Sequence, residues 1–186
     1  GLRQAFGPLM ENGRALPKPV WMTEGSAATH MLSKGMYHHT TVDPSNDDLK
    51  RIANDSCRFM LSLQANQVEK LFLYSVNAHS GEFGVNNGWH FLVSDDGDLH
   101  PCAAAVSNYI WLIEGLTFKQ MIDLNNGVYA YVFSDGKRCV ATLSGAPKFK
   151  RRSWDVLPAS VKALDLYGNT LTTPVEFNGS LVYLHG

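Results

Sequence analysis

The chain has 186 residues, 45% of them hydrophobic and 18% charged, with a formal net charge of −1. Such a length and composition suit a globular protein of one or two domains. The near-neutral charge excludes the electrostatic footprint of a nucleic-acid-binding or anionic-membrane-binding protein, and no apolar run reaches the ~20 residues that span a bilayer.

Residues 2–12 place Leu2, Phe6, Leu9 and Met10 on one helical face, and Gly13, Pro17 and Pro19 supply the stop. The sequence opens at Gly1, directly in this helix and without an initiator Met. It is therefore expected to be a fragment or one half of a split chain, with any targeting segment upstream. Next comes the short β-prone run Val20-Trp21-Met22-Thr23, ending in Glu24-Gly25-Ser26. A polar stretch over residues 27–44 carries His30, Tyr37, His38 and His39, and is long for a simple connection.

Ser45-Asn46-Asp47-Asp48 is a helix start, with Ser45 as N-cap and Asp48 in the capping-box position. Leu49, Ile52, Ala53, Cys57, Phe59, Met60 and Leu63 then recur at helical spacing, so the helix should run to about Ala65. Residues 68–76 (VEKLFLYSV) form a second predicted strand, followed by a polar, Gly-rich loop over 77–99. Pro101 can open a further helix, carrying Val106, Tyr109, Ile110 and Ile113 and ending near Gly115. Buried strands alternating with helices imply parallel βα units.

After Gly115 the pattern changes. Residues 117–124, 127–134, 137–144, 160–167 and 180–185 are short β-prone runs, with turn signals at Asn125-Asn126-Gly127, Asp135-Gly136 and Tyr167-Gly168-Asn169. This half predicts an antiparallel sheet or sandwich, with Phe118, Leu124 and Trp154 expected to pack partly against the preceding helices. The basic cluster Lys148, Lys150, Arg151 and Arg152 is expected to be a solvated loop. Cys57, Cys102 and Cys139 have no CxxC spacing and each is expected to be a small buried residue. The histidines His38, His39, His79, His90 and His100 show no HxH or HExxH spacing, so no metal site is expected.

The feature richest in chemistry is Glu24, a carboxylate at the C-terminal end of a predicted strand in a βα unit, where barrel enzymes keep catalytic groups. The motif alone also admits a structural Glu at the start of a loop. Its context resembles a known family. Lys18-Pro19-Val20-Trp21-Met22-Thr23-Glu24 resembles the seventh strand of the large clan of retaining (β/α)8-barrel glycoside hydrolases, which ends in the nucleophilic glutamate. Val68-Glu69-Lys70-Leu71-Phe72-Leu73-Tyr74-Ser75 resembles the eighth strand, and His100-Pro101-Cys102-Ala103-Ala104-Ala105 the opening of the eighth helix. Asp165-Leu166-Tyr167-Gly168-Asn169 and Val182-Tyr183-Leu184 resemble the closing hairpin of the β-sandwich that many such enzymes append.

The resemblance implies an α/β plus all-β fold: the last βα units of a TIM barrel over residues 1–116, then a small antiparallel β-sandwich over 117–186. It implies a glycosidase acting on an oligo- or polysaccharide, with no cofactor, in a secreted or periplasmic setting. Glu24 would be the nucleophile, and Tyr37, His38, His39, Tyr74, Asn77, His79 and Trp89 would line the sugar subsites. Such chemistry needs a second carboxyl ~5–5.5 Å away. In the clan this acid/base usually follows an Asn, and no Asn-Glu pair occurs in the sequence. Asn54-Asp55 falls inside a predicted helix, and Glu82 in a Gly-flanked loop reads by default as a surface carboxylate. The acid/base would then come from an N-terminal barrel segment, in the same chain or a second one. Two alternatives stay open: a non-catalytic carbohydrate-binding or scaffold protein, and an unrelated α+β domain in which Glu24 is structural.

Overall fold

The computed structural model describes residues 19–25, 44–73, 92–94, 97–146 and 152–186. The helix expected over residues 2–12 lies outside the described residues, as do residues 74–76 of the second predicted strand.

Strand β1 (Val20–Gly25) pairs in parallel with β2 (Val68–Leu73). Parallel neighbours need a long crossover, and helix α1 (Asn46–Ala65) lies on the path between them. Its start is the expected reciprocal cap. The Asp48 N–H donates to Ser45 Oγ at 3.2 Å, and the Ser45 N–H donates to the Asp48 carboxylate at 3.1 Å. Ile52, Ala53, Cys57, Met60, Leu61 and Leu63 are buried along the helix, while Leu49 and Phe59 are half-buried. Helix α2 (Pro101–Ile113) has Pro101 in its first turn, and its buried stripe is Cys102, Ala105, Val106, Tyr109, Leu112 and Ile113. Ile110, expected on that stripe, points outward and is 46% exposed. The helix twist sets it off the line that Val106, Tyr109 and Ile113 follow.

The rest of the chain is antiparallel sheet. A six-stranded sheet has the order β3-β4-β5-β10-β7-β8. Its members are β3 (Thr117–Asp123), β4 (Val128–Ser134), β5 (Cys139–Gly145), β7 (Lys162–Leu164), β8 (Thr170–Leu171) and β10 (Val182–His185). The strands β6 (Arg152–Trp154) and β9 (Val175–Phe177) form a separate antiparallel pair. The β-prone runs from 117 to 145 hold to within a residue or two. The run over 160–167 shortens to three strand residues because Asp165 turns the chain: its carboxylate accepts the Tyr167 and Asn169 N–H groups at 2.9 and 2.8 Å.

The large sheet is a middle layer, so its strands are apolar on both faces. One face carries Phe133, Val140, Leu164 and Tyr183, which pack into one cluster with Cys57, Ala105, Tyr109 and Leu112 of the helices. The other carries Val128, Ala130, Leu143, Ala163 and Val182, packed on Val175 and Phe177 of β9. Phe118 packs toward the helices as expected. Leu124 and Trp154 do not; both join the second cluster, between the two sheets. Trp154 does so because β6 pairs with β9 and thereby sits on the far side of the sheet from the helices.

Two asparagine side chains tie the helices to turns that flank the β-strands. Asn54 of α1 accepts the Leu181 N–H at 2.9 Å and donates to the Gly179 carbonyl at 3.4 Å. Asn108 of α2 donates to the Leu166 carbonyl at 3.3 Å. Cys57 and Cys102 are buried as expected, whereas Cys139 is exposed. Cys139 begins β5, opposite Ser134 at the end of β4, beyond the reach of either core.

Candidate functional site

The candidate site, Glu24, stands at the end of β1. Val20 pairs with Val68, Trp21 with Lys70, Met22 with Leu71, and Gly25 with Leu73. Between the last two pairs, β1 advances by three residues while β2 advances by two. One extra residue is therefore accommodated at Thr23-Glu24, opposite Phe72. A bulge of this kind breaks the two-residue alternation and re-aims a side chain. Met22 and Gly25 consequently face the same way, toward α1. A Cβ built on Gly25 would lie 3.0 Å from Phe59 Cζ and 3.6 Å from Met22 Cγ. Any larger residue at this position would have to displace the Phe59 ring, so glycine lets the strand end lie directly against the helix. Thr23 and Glu24 are exposed.

The face of the strand pair turned away from α1 is aromatic. Trp21 and Phe72 are each 50% exposed, with ring centroids 6.4 Å apart. Lys70 Nζ lies 4.5 Å from the Trp21 ring centroid, a cation–π contact that anchors the ring. Leu71 and Leu73 point the other way, into the core under the helices.

Of the residues expected to form the site, Glu24 alone is described, on the bulge at the C-terminal end of β1. Tyr37, His38, His39, Tyr74, Asn77, His79 and Trp89 lie outside the described residues, as do Glu82 and His90. Asp55 belongs to α1, as its sequence context implied, and Asn54 beside it holds the β9–β10 turn. His100 is buried at the N-cap of α2, with its N–H donated to the Leu92 carbonyl at 2.9 Å. Among the described residues no group of three or more His, Cys, Asp or Glu could hold a metal ion.

No family model and no curated protein matches the sequence. Solved structures do. The chain is similar to a family 39 glycoside hydrolase from the gut symbiont Bacteroides cellulosilyticus, with TM-score 0.63 and 18% identity over 97% of this chain and 36% of that one. It is similar to a GH30 endoxylanase from Clostridium papyrosolvens, with TM-score 0.55 and 12% identity over 100% of this chain and 44% of that one. The chain has a glycoside hydrolase-like fold. A conserved exported protein from Bacteroides fragilis is a third such neighbour, with TM-score 0.60 and 11% identity over 98% of this chain. The chain spans 36%, 44% and 41% of the length of these three proteins.

Proposed function

We propose that this chain is the C-terminal segment of a retaining glycoside hydrolase cleaving O-glycosyl bonds, and that Glu24 is its nucleophile. The observation that carries the reading is the position of Glu24: exposed, on a bulge, at the C-terminal end of a parallel strand in a βαβ unit of a glycoside hydrolase-like fold. In this reading β1 and β2 are the last two strands of a (β/α)8 barrel, and Trp21 and Phe72 face its interior. The β-rich part after residue 116 is the appended sandwich domain.

The chemistry follows from the roles of two carboxyl groups. The Glu24 carboxylate attacks the anomeric carbon as the bond to the leaving oxygen breaks, forming a glycosyl ester. A second, protonated carboxyl gives its proton to the leaving oxygen, then deprotonates the water that hydrolyses the ester. That second group comes from an N-terminal barrel segment, in the same chain or a partner chain. Tyr37, His38, His39, Tyr74, Asn77, His79 and Trp89 supply hydrogen bonds and stacking surfaces to the sugar rings. A non-catalytic carbohydrate-binding protein built on the same barrel is the second reading, favoured by the lack of any Asn-Glu pair in this sequence.

Glu24→Gln in the complete protein tests the assignment, because it keeps the shape of the side chain and removes the nucleophile. Turnover of an aryl glycoside should fall by roughly 10³-fold or more, since no covalent intermediate can form. Full activity in that variant excludes Glu24 as the nucleophile.

A further inference from the structure

One recess is lined by no residue of β1. A groove of about 460 Å³ opens between residues 50–58 of α1, the end of β5 at Gly145-Ala146, and the β9–β10 turn at Asn178-Gly179-Ser180. This is within the ~300–1,000 Å³ typical of small-ligand sites. Its lining is unlike that of an apolar pocket. Lys50, Asn54 and Arg58 recur every four residues and form one stripe of the helix, and Arg51 and Asp55 form the neighbouring stripe. The groove thus holds three cations against a single carboxylate.

The opposite wall is low and polar. Gly145 adopts a φ of +136°, and a Cβ there would sit 2.0 Å from the Gly127 carbonyl oxygen, so no side chain can stand at this point. Gly179 likewise has a φ of +106°. Without side chains at these two positions, the wall offers backbone groups flanked by Asn178 and Ser180. The floor is fixed: Asn54 is only 8% exposed, and both ends of its carboxamide are engaged by Gly179 and Leu181. Helix and turn cannot separate without breaking those bonds, so the groove is pre-organised.

We infer that this groove is a secondary binding site for an acidic carbohydrate, holding a uronate carboxylate or sulfate ester against Lys50, Arg51 and Arg58. The cations select the anionic group. The carboxamide, the hydroxyl and the backbone groups of the facing wall suit the hydroxyls that a sugar carries beside it. The cationic excess belongs to the groove lining alone, Asp47 and Asp48 of the same helix lying outside that lining, and it is too small a patch for a polynucleotide backbone. The identification of the ligand as a sugar rests on the glycoside hydrolase reading above; the anion selectivity rests on the groove alone.

The test is calorimetric titration of the complete protein in the Glu24→Gln background, which keeps the probe intact. The probes are a trimer of galacturonic acid, the corresponding neutral galactose trimer, and sodium sulfate. The acidic trimer should bind saturably. Arg51→Gln combined with Arg58→Gln should weaken it about tenfold or more, because charge-assisted contacts are lost. Lys119→Gln, an exposed cation on β3, should leave binding unchanged. Lys50→Gln alone serves as a second variant if the double variant melts early, and should weaken binding in the same direction. Equal binding of the neutral trimer, equal loss in Lys119→Gln, or full affinity in the groove variants each overturns the proposal. Sulfate binding as tightly as the trimer reduces the groove to an inorganic-anion site and overturns its carbohydrate part. The two readings fail separately: full turnover by Glu24→Gln removes the nucleophile assignment and leaves the effect of the groove variants on binding as it was.

Discussion

Cys57 and Cys139 carry the same side chain into opposite environments. Burial, with Cys102 adding to it, pushes the Cys57 thiol far above its ordinary value of 9.0. Burial likewise raises Cys102 and holds Tyr109 and Tyr183 well above the ordinary phenol value of 10.0. These groups stay neutral in the folded chain, while in the unfolded chain the thiols ionise above about pH 9 and the phenols above about pH 10. The unfolded state then releases protons that the folded state retains, so stability is full below pH 9 and falls as pH rises. Each group contributes a slope of at most ~1.4 kcal/mol per pH unit. The expected result is a melting temperature of the complete protein that stays level from pH 7 to about 9 and then drops steeply. A level melting temperature up to about pH 10.5 is incompatible with this buried cluster. Glu24 shows how far a single residue was legible. Its place at a strand end follows from the local run Val20-Trp21-Met22-Thr23 and the glycine after it. The bulge that presents it does not, because a bulge exists only in register with β2, a strand far along the chain.

At the scale of elements, legibility follows the range of the interactions. Helix α1 begins where the sequence places it because its cap is made by residues three apart, Ser45 and Asp48. Strands β4 and β5 were equally plain, since seven apolar-rich residues between turn signals have few other solutions. By contrast β6, β8 and β9 are two or three residues long and too short to show any period. The insertion of β10 between β5 and β7 is set by pairing across the domain, with Tyr183 opposite both Thr142 and Leu164. Asn54 was hidden for the same reason: inside an amphipathic helix it looks like a neutral polar residue, and its partners lie 125 and 127 positions away. Its role predicts the effect of Asn54→Ala. The substitution removes the acceptor of the buried Leu181 N–H, and orphaning such a group costs about 1–3 kcal/mol. Hydrogen exchange of the Leu181 amide in the complete protein should accelerate by roughly tenfold or more, tenfold corresponding to about 1.4 kcal/mol. Ser62→Ala removes a half-buried hydroxyl's 2.8 Å bond to the Arg58 carbonyl within the same helix. It should leave the Leu181 amide unaffected, and equal acceleration in both variants argues against a specific clasp between α1 and the β9–β10 turn.

At the scale of the whole molecule the two ends of the architecture differ in completeness. The sheet after Gly115 is covered on both faces, by the helices on one side and by β6 and β9 on the other. Among the described residues the β1–β2 pair is covered on one face, by the helices. Among the described residues each of its strands has a single pairing partner, and its far face shows Trp21 and Phe72 half-exposed. Helix α2 adds Ile110 and Trp111, 46% and 65% exposed. Fully burying a large apolar side chain stabilises by about 1.5–3 kcal/mol, so completing the cover over these four is worth several kcal/mol, against a typical net stability of only 5–15 kcal/mol. Strands carrying such a face fit a closed barrel, in which neighbouring strands satisfy both edges and the aromatic face becomes interior. From this we predict that residues 1–186 expressed alone aggregate, or bind a dye for exposed apolar surface and melt without cooperativity. Co-expression with an upstream segment carrying the remaining strands should restore a sharp transition and protect the β1 and β2 amides from exchange. A soluble monomer of residues 1–186 that melts cooperatively, with Trp21 in a dry environment by fluorescence, contradicts the barrel reading. It would mean that the chain closes its own edges, and that Glu24 stands on a surface instead of at the mouth of a barrel.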